Sequence, residues 1–124
     1  MEEIKVGEYV KLKNGRIAKI IDIDKEFIYF DKEIYRQIGI PVCELDKAFL
    51  DFIIKHSFNI IDLIEVGDYV NGILVTGKES TLLFTEIKGI DNSGYHVPIS
   101  QYGENIKSIV TKEQFSSVEY KLED

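Results

Sequence analysis

Nine polar or aromatic side chains besides Glu104 crowd one glycine-punctuated stretch, GIDNSGYHVPISQYGEN, running from Gly89 to Asn105. They are Asp91, Asn92, Ser93, Tyr95, His96, Ser100, Gln101, Tyr102 and Asn105. Such a segment supplies hydrogen-bond donors and acceptors together with aromatic contact area at low entropic cost, which is the chemistry of binding loops. The same residues also suit a hairpin with turn formers at its tip and tyrosines on its flank. Both readings stay open at this level.

Other residue types that carry chemistry are sparse. The two histidines, His56 and His96, lie in KHSFNIID and SGYHVPI, without the HxH, HxxE or paired-cysteine spacing that gathers metal ligands. Neither a metal nor any other cofactor is expected. Cys43 precedes what looks like a helix start, where a thiol can be acidified, but Val42 and Leu45 beside it favour a small apolar filler. NGILVTGK ends in Gly77-Lys78 yet lacks the first glycine and the following Ser/Thr of a phosphate loop. Glu8 and Asp68 could form a carboxylate pair only if both met at one site. No constellation marks an enzyme, and the reading is non-enzymatic.

The elements that must position these residues begin with a repeat. VGEYV starts at Val6 and VGDYV at Val66, a spacing of 66 − 6 = 60 positions, and each is soon followed by Asn-Gly, at Asn14-Gly15 and Asn71-Gly72. Glycine permits a tight bend, the short carboxylate suits a turn, and Tyr-Val enters a strand, so the phrase opens a β-unit. Residues 6–31 read as a three-stranded meander, with Asn14-Gly15 as a two-residue turn. VGEYVKLKNGRIAKI looks like the opening of a small SH3-like barrel. Leu45, Ala48, Phe49, Phe52 and Ile53 fall at i, i+3, i+4, i+7 and i+8, which predicts an amphipathic helix over 44–56. In the second unit STLLFTEI reads as a strand, Asp91 to Gly94 as a turn, and Thr111 to Gln114 as a capping box. Val118, Tyr120 and Leu122 alternate like a closing strand. The expected fold is mostly β, within an α+β class: two small antiparallel SH3-like β-units flanking one central amphipathic helix. One compact domain would then divide into 1–43, 44–56 and 57–124.

A chain of 124 residues with 44% apolar and 30% charged residues is globular in composition and long enough to bury a core without staples. No apolar run reaches the length of a membrane span. A single cysteine and the absence of a leader pattern at the start point to a reducing cytoplasm. The net charge of −7 is uneven: residues 1–62 carry ten Lys/Arg against twelve Asp/Glu, and residues 63–124 five against ten. Binding to a nucleic-acid duplex would call for a basic stripe, so it is not expected. An acidic half fits a basic partner surface instead.

KHSFNIIDLIEVGDYVNG (55–72) and IKSIVTKEQFSSVEYKLE (106–123) resemble small uncharacterised accessory proteins of phages and prophages of Gram-positive bacteria. That family is similar in layout too, with a VGDYV opening near each half, and it brings no catalytic residues. The resemblance implies a setting in which small acidic proteins occupy host components, immune effectors among them. Two functions follow as expectations. One is a binding protein that docks on a host protein effector of a bacterial defence system. The other is a binder that sequesters a nucleotide signal, for which Arg16, Arg36, Asn92 and Tyr95 are the available parts. The oligomeric state is left open, a homo-oligomer included.

Overall fold

A computed structural model of the chain describes residues 3–35, 41–101 and 103–114, with the side chain of Tyr35 excepted. The chain divides into two compact units, Met1–Leu63 and Ile64–Asp124. Each is built on one five-stranded antiparallel sheet.

In the first unit the strands are β1 (Tyr9–Leu12), β2 (Ile17–Ile23), β3 (Phe27–Tyr35), β4 (Pro41–Asp46) and β5 (Ile53–Ser57). Their order across the sheet is β4-β3-β2-β1-β5, so a meander of four strands is closed by a fifth returning beside the first. Two short 3-10 helices, η1 (Lys47–Phe52) and η2 (Ile60–Leu63), flank β5. The buried cluster comprises Val10, Leu12, Ala18, Ile20, Ile28, Phe30, Ile34, Leu45, Phe52 and Ile53. In β2 these are Ala18 and Ile20 and in β3 Ile28, Phe30 and Ile34, all at alternate positions, as in a strand with one face inward.

The central amphipathic helix expected over 44–56 is absent. Glu44 to Asp46 end β4, η1 follows with a break at Phe49 (φ −112°), and Ile53 already belongs to β5. Three of the five stripe residues, Leu45, Phe52 and Ile53, are buried, whereas Ala48 is exposed and Phe49 is 54% exposed. The physical reason is competition for the free edge of β1. β-branched Ile53 and Ile54 fit a strand, and Tyr9 to Leu12 supply the ladder, pairing with Ser57, His56, Lys55 and Ile53. A helix of some thirteen residues gains too little from its own hydrogen bonds to outweigh that pairing. Asp46 caps η1 by accepting from Ala48 N at 2.9 Å. Cys43, read as an apolar filler ahead of a helix, lies exposed in β4.

In the second unit the strands are β6 (Tyr69–Val70), β7 (Ile73–Ser80), β8 (Thr85–Ile90), β9 (His96–Gln101) and β10 (Ile109–Val110). The order β10-β6-β7-β8-β9 repeats that of the first sheet. The repeated phrase is one hydrogen-bonded motif used twice. Gly7 N donates to Ile20 O and Gly67 N to Val75 O, both at 2.9 Å. Ile20 N donates to Glu8 O and Val75 N to Asp68 O, both at 2.8 Å. Each carboxylate then accepts from the amide three residues earlier: Glu8 from Lys5 N at 3.2 Å, Asp68 from Glu65 N at 2.8 Å. Gly7 and Gly67 sit at φ +95° and +102°, a region that L side chains rarely enter.

The two Asn-Gly turns are not alike. Asn71 and Gly72 both have positive φ, 53° and 79°, which is the two-residue turn closing β6 on β7. In the Asn14-Gly15 turn only Gly15 is positive (φ 86°), Leu12 N donates to Arg16 O, and Gly15 N donates to Leu12 O. That loop spans 13–15, one residue longer than the two-residue turn expected, and Asn14 Oδ1 accepts from Arg16 N at 2.9 Å.

The turn between β2 and β3 makes a titratable pair. Asp24 accepts from the Tyr29 hydroxyl at 2.6 Å and from the amides of Phe27 and Glu26 at 2.7 and 2.8 Å. These bonds hold the Asp24 carboxyl below its ordinary 3.8, the Tyr29 hydroxyl contributing most, then Phe27 and Glu26. The same bond pushes the Tyr29 phenol up to about 12 from 10.0. Tyr29 therefore adds stability that is complete below pH 10 and is lost as pH rises toward 12. Asp24 adds stability present above pH 3.8 and lost as pH falls through its lowered value. Titration of tyrosinate absorbance should show one late phenol, and Asp24→Asn should return it toward 10. An unaltered profile in the variant would sink the assignment.

Candidate functional site

The stretch from Gly89 to Asn105 is two places, not one. Strand β9 runs through its middle, and six extended residues span roughly 17–20 Å. Asp91 to His96 gather at one end, whereas Gln101 and the segment containing Asn105 lie at the other.

At the first end, Asp91 builds the turn. Its Oδ1 accepts from Ser93 N at 2.9 Å and from Tyr95 N at 3.0 Å. Asp91 N donates to Tyr95 O, and Gly94 N to Asp91 O, both at 3.0 Å. Gly94 takes φ +83° with open space about it. The Asp91 carboxylate is thus engaged in shaping the loop, while Asn92, Ser93 and His96 are exposed and Tyr95 is 71% exposed. A turn with this many internal bonds presents the Tyr95 ring without further ordering.

At the far end, Gln101 is half-buried opposite Glu86, with its Nε2 at the 3.5 Å limit from Glu86 Oε2. Asn105 has φ 60°, and its carbonyl accepts from Asn71 Nδ2 at 2.8 Å. Asn71 Oδ1 also accepts from Lys107 N and Ser108 N, so Asn105 serves the seam that holds β10 to β6. Ser100 is buried and donates to Glu104 O at 2.7 Å. Neither Gln101 nor Asn105 shares the surface of Tyr95. Arg16 belongs to the first unit, half-buried at the end of the 13–15 loop. Arg36, Tyr102 and the alternating Val118, Tyr120 and Leu122 lie outside the described residues.

The remaining candidates are absorbed locally. Glu8 and Asp68 belong to separate units, each with its own partners. His56 is half-buried with Nδ1 2.9 Å from Glu8 Oε2, so it ties β5 to the turn before β1. Asp68, fully buried, accepts from Lys112 N at 2.8 Å in the corresponding place. Among the described residues no group of three or more His, Cys, Asp or Glu could hold a metal ion. Thr111 and Gln114 cap the helical turn at 112–114 reciprocally: Thr111 N donates to Gln114 Oε1 at 3.1 Å, and Gln114 N to Thr111 Oγ1 at 3.3 Å.

One exposed feature escaped the sequence reading. STLLFTEI is not one strand: β7 ends at Ser80, β8 begins at Thr85, and 81–84 form the turn between them. Leu82 and Leu83 stand on that turn fully and 83% exposed. The turn contains neither glycine nor proline nor asparagine, and its only local mark is Thr81, whose Oγ1 accepts from Leu83 N and Phe84 N at 3.2 and 3.1 Å.

No helix among the described residues is long and apolar enough to cross a membrane. Compared with known families, curated proteins and solved structures, the chain finds no match in any of the three.

Proposed function

We propose that this chain is a non-enzymatic binding module that docks on a protein partner, with the 91–96 hairpin end as a contact surface. The observation that supports it is Tyr95, 71% exposed on a turn already held by four hydrogen bonds about Asp91. A tyrosine displayed this way offers a large amphipathic surface and loses little freedom on binding. The acid excess of the second unit, ten Asp/Glu against five lysines in 64–124, favours a basic partner surface. In the setting implied by the resemblance to phage accessory proteins, that partner is a host effector of bacterial defence.

Tyr95→Ala tests the reading. Binding to the purified partner should weaken at least about thirtyfold, the loss usual for an interfacial tyrosine hot spot. The thermal melt should stay within roughly 0.5 kcal/mol of the parent, because the ring contributes little to the core. A variant that melts early but still binds when folded would overturn the assignment. So would a nucleotide released on denaturing the protein purified from phage-infected cells, an outcome that favours sequestration of a small molecule.

A further inference from the structure

Two adjacent leucines, Leu82 fully and Leu83 83% exposed, are costly to leave in water, and the turn that carries them is built to hold them there. Thr81 N donates to Phe84 O at 2.8 Å, and the Thr81 hydroxyl donates to the same carbonyl at 3.1 Å while accepting the two amides described above. Ser80 Oγ and Thr85 Oγ1 lie 3.1 Å apart across the base of the hairpin. Leu82 and Leu83 are therefore presented on an ordered knob rather than a slack loop. Single exposed apolar residues are ordinary on protein surfaces, whereas a contiguous pair at a projecting tip marks a contact.

We infer that the Leu82–Leu83 tip is an anchor that seats in an apolar slot of a protein partner, the slot being edged by lysine or arginine. The inference rests on the docking reading above and names the part of the surface that penetrates. Charge decides the occupant. The strands that carry the tip hold Glu79 and Glu86 beside Lys78 and Lys88; the Lys78 ammonium is turned to Ile64 O at 2.9 Å and Lys88 Nζ lies 3.3 Å from Glu79 Oε1, so the acid excess belongs to the unit and not to the two strands. With a net of −5 over 64–124 (five lysines, ten acids), an anionic membrane surface would repel the unit. Two leucines bring about eight side-chain carbons, fewer than a single myristoyl chain, which by itself binds bilayers only marginally. A second copy of the chain carries the same acid excess and would repel its twin. A slot with a basic rim satisfies both the leucines and the acid excess of the unit that carries them.

The test places the photo-crosslinker p-benzoylphenylalanine at Leu82, and in a separate protein at Thr76, an exposed position on β7, in Gram-positive cells expressing the full chain. One adduct from position 82 and none from 76 is expected. The crosslinked protein, purified, is then titrated with the parent, with L82S/L83S and with Tyr95→Ala. L82S/L83S should bind at least about thirtyfold more weakly, with an unchanged melting curve, and parental affinity should fall as salt rises. Leu82→Lys alone, also surface-borne, should weaken binding in the same direction. No adduct at 82, an adduct with a second copy of the chain, sedimentation of the parent with phosphatidylcholine vesicles, or equal affinity of L82S/L83S would each overturn the anchor. If Tyr95→Ala loses the partner while L82S/L83S keeps it, the anchor fails and the docking reading stands. If both variants bind as the parent does, both readings fail.

Discussion

Gly89→Ala should cost the second unit about 3 kcal/mol or more, and a thermal melt or urea titration will show it. Gly89 lies in β8 opposite Val75 of β7, where the ladder passes into a bulge between Val75 and Gly77. A Cβ at that position would stand 1.9 Å from Leu74 O, 2.8 Å from Leu74 C and 3.0 Å from Ile99 Cδ1. The first two are backbone atoms of the neighbouring strand. They cannot withdraw without pulling Leu74 from its register with Ile90, so relief requires breaking ladder bonds. Overpacking of a core commonly costs about 1–3 kcal/mol, and a clash with backbone belongs at or beyond the top of that range. Gly77→Ala is the control. Its Cβ would stand nearest to the Lys88 side chain, at 3.2 and 3.3 Å, and a flexible methylene chain can move aside. Gly77→Ala should change stability by less than about 1 kcal/mol. Equal losses in the two variants would mean that the crossing of β7 and β8 is looser than described.

Gly89 also shows where a sequence stops being informative. Turn chemistry is local, and it is legible where glycine marks it, as at Asn71-Gly72 with two positive φ angles and at Asp91 to Gly94, but not at 81–84 nor in the length of the 13–15 loop. Close approach of two strands is not local, and nothing in TEIKGI says that Leu74 O occupies the space a side chain would fill. The segment 44–56 failed for a related reason. The spacing of Leu45, Phe49, Phe52 and Ile53 satisfies a helix, but three of them reach the same core from a strand end, a 3-10 turn and a second strand. Period alone cannot weigh an unpaired β1 edge against a helix.

The candidate site divides in the same way. Asp91, Asn92, Ser93, Tyr95 and His96 come together because one short turn gathers them. Gln101 and Asn105 were grouped with them by proximity in sequence, yet β9 carries them to the opposite end of the sheet. Leu82 and Leu83 were read as strand interior, since only a threonine hydroxyl makes their turn. The carboxylates of the repeated phrase were read correctly as architectural, but their second partners, His56 and Lys112, lie 48 and 44 residues away.

Those distant partners set the other large expected effect. Asp68 is fully buried and its two oxygens are committed, Oδ2 to Glu65 N and Oδ1 to Lys112 N, each at 2.8 Å. The residue thereby fastens the segment before β6 to the helical turn after β10. In Asp68→Ala both amides lose a charged acceptor at a site closed to water. Hydrogen bonds to charged groups contribute about 1.5–3 kcal/mol each, so a loss of roughly 3–6 kcal/mol is expected. That is a large share of the 5–15 kcal/mol by which small domains are usually stable. The exposed Lys112–Glu65 ion pair at 3.2 Å would survive the change and contributes too little to compensate. Asp68→Asn keeps one acceptor but turns an amide group toward a donor, and its loss should fall between those of Ala and the parent. Glu8→Ala tests the matched position of the first unit. There the partners freed are the amide of exposed Lys5 and His56, whose side chain is 17% exposed; both can turn to water, so the loss should be smaller than in Asp68→Ala. Urea titrations of the three variants decide it: Asp68→Ala within about 1 kcal/mol of the parent would mean that the two amides find water, and that the repeated phrase does not lock the sheet through its carboxylate.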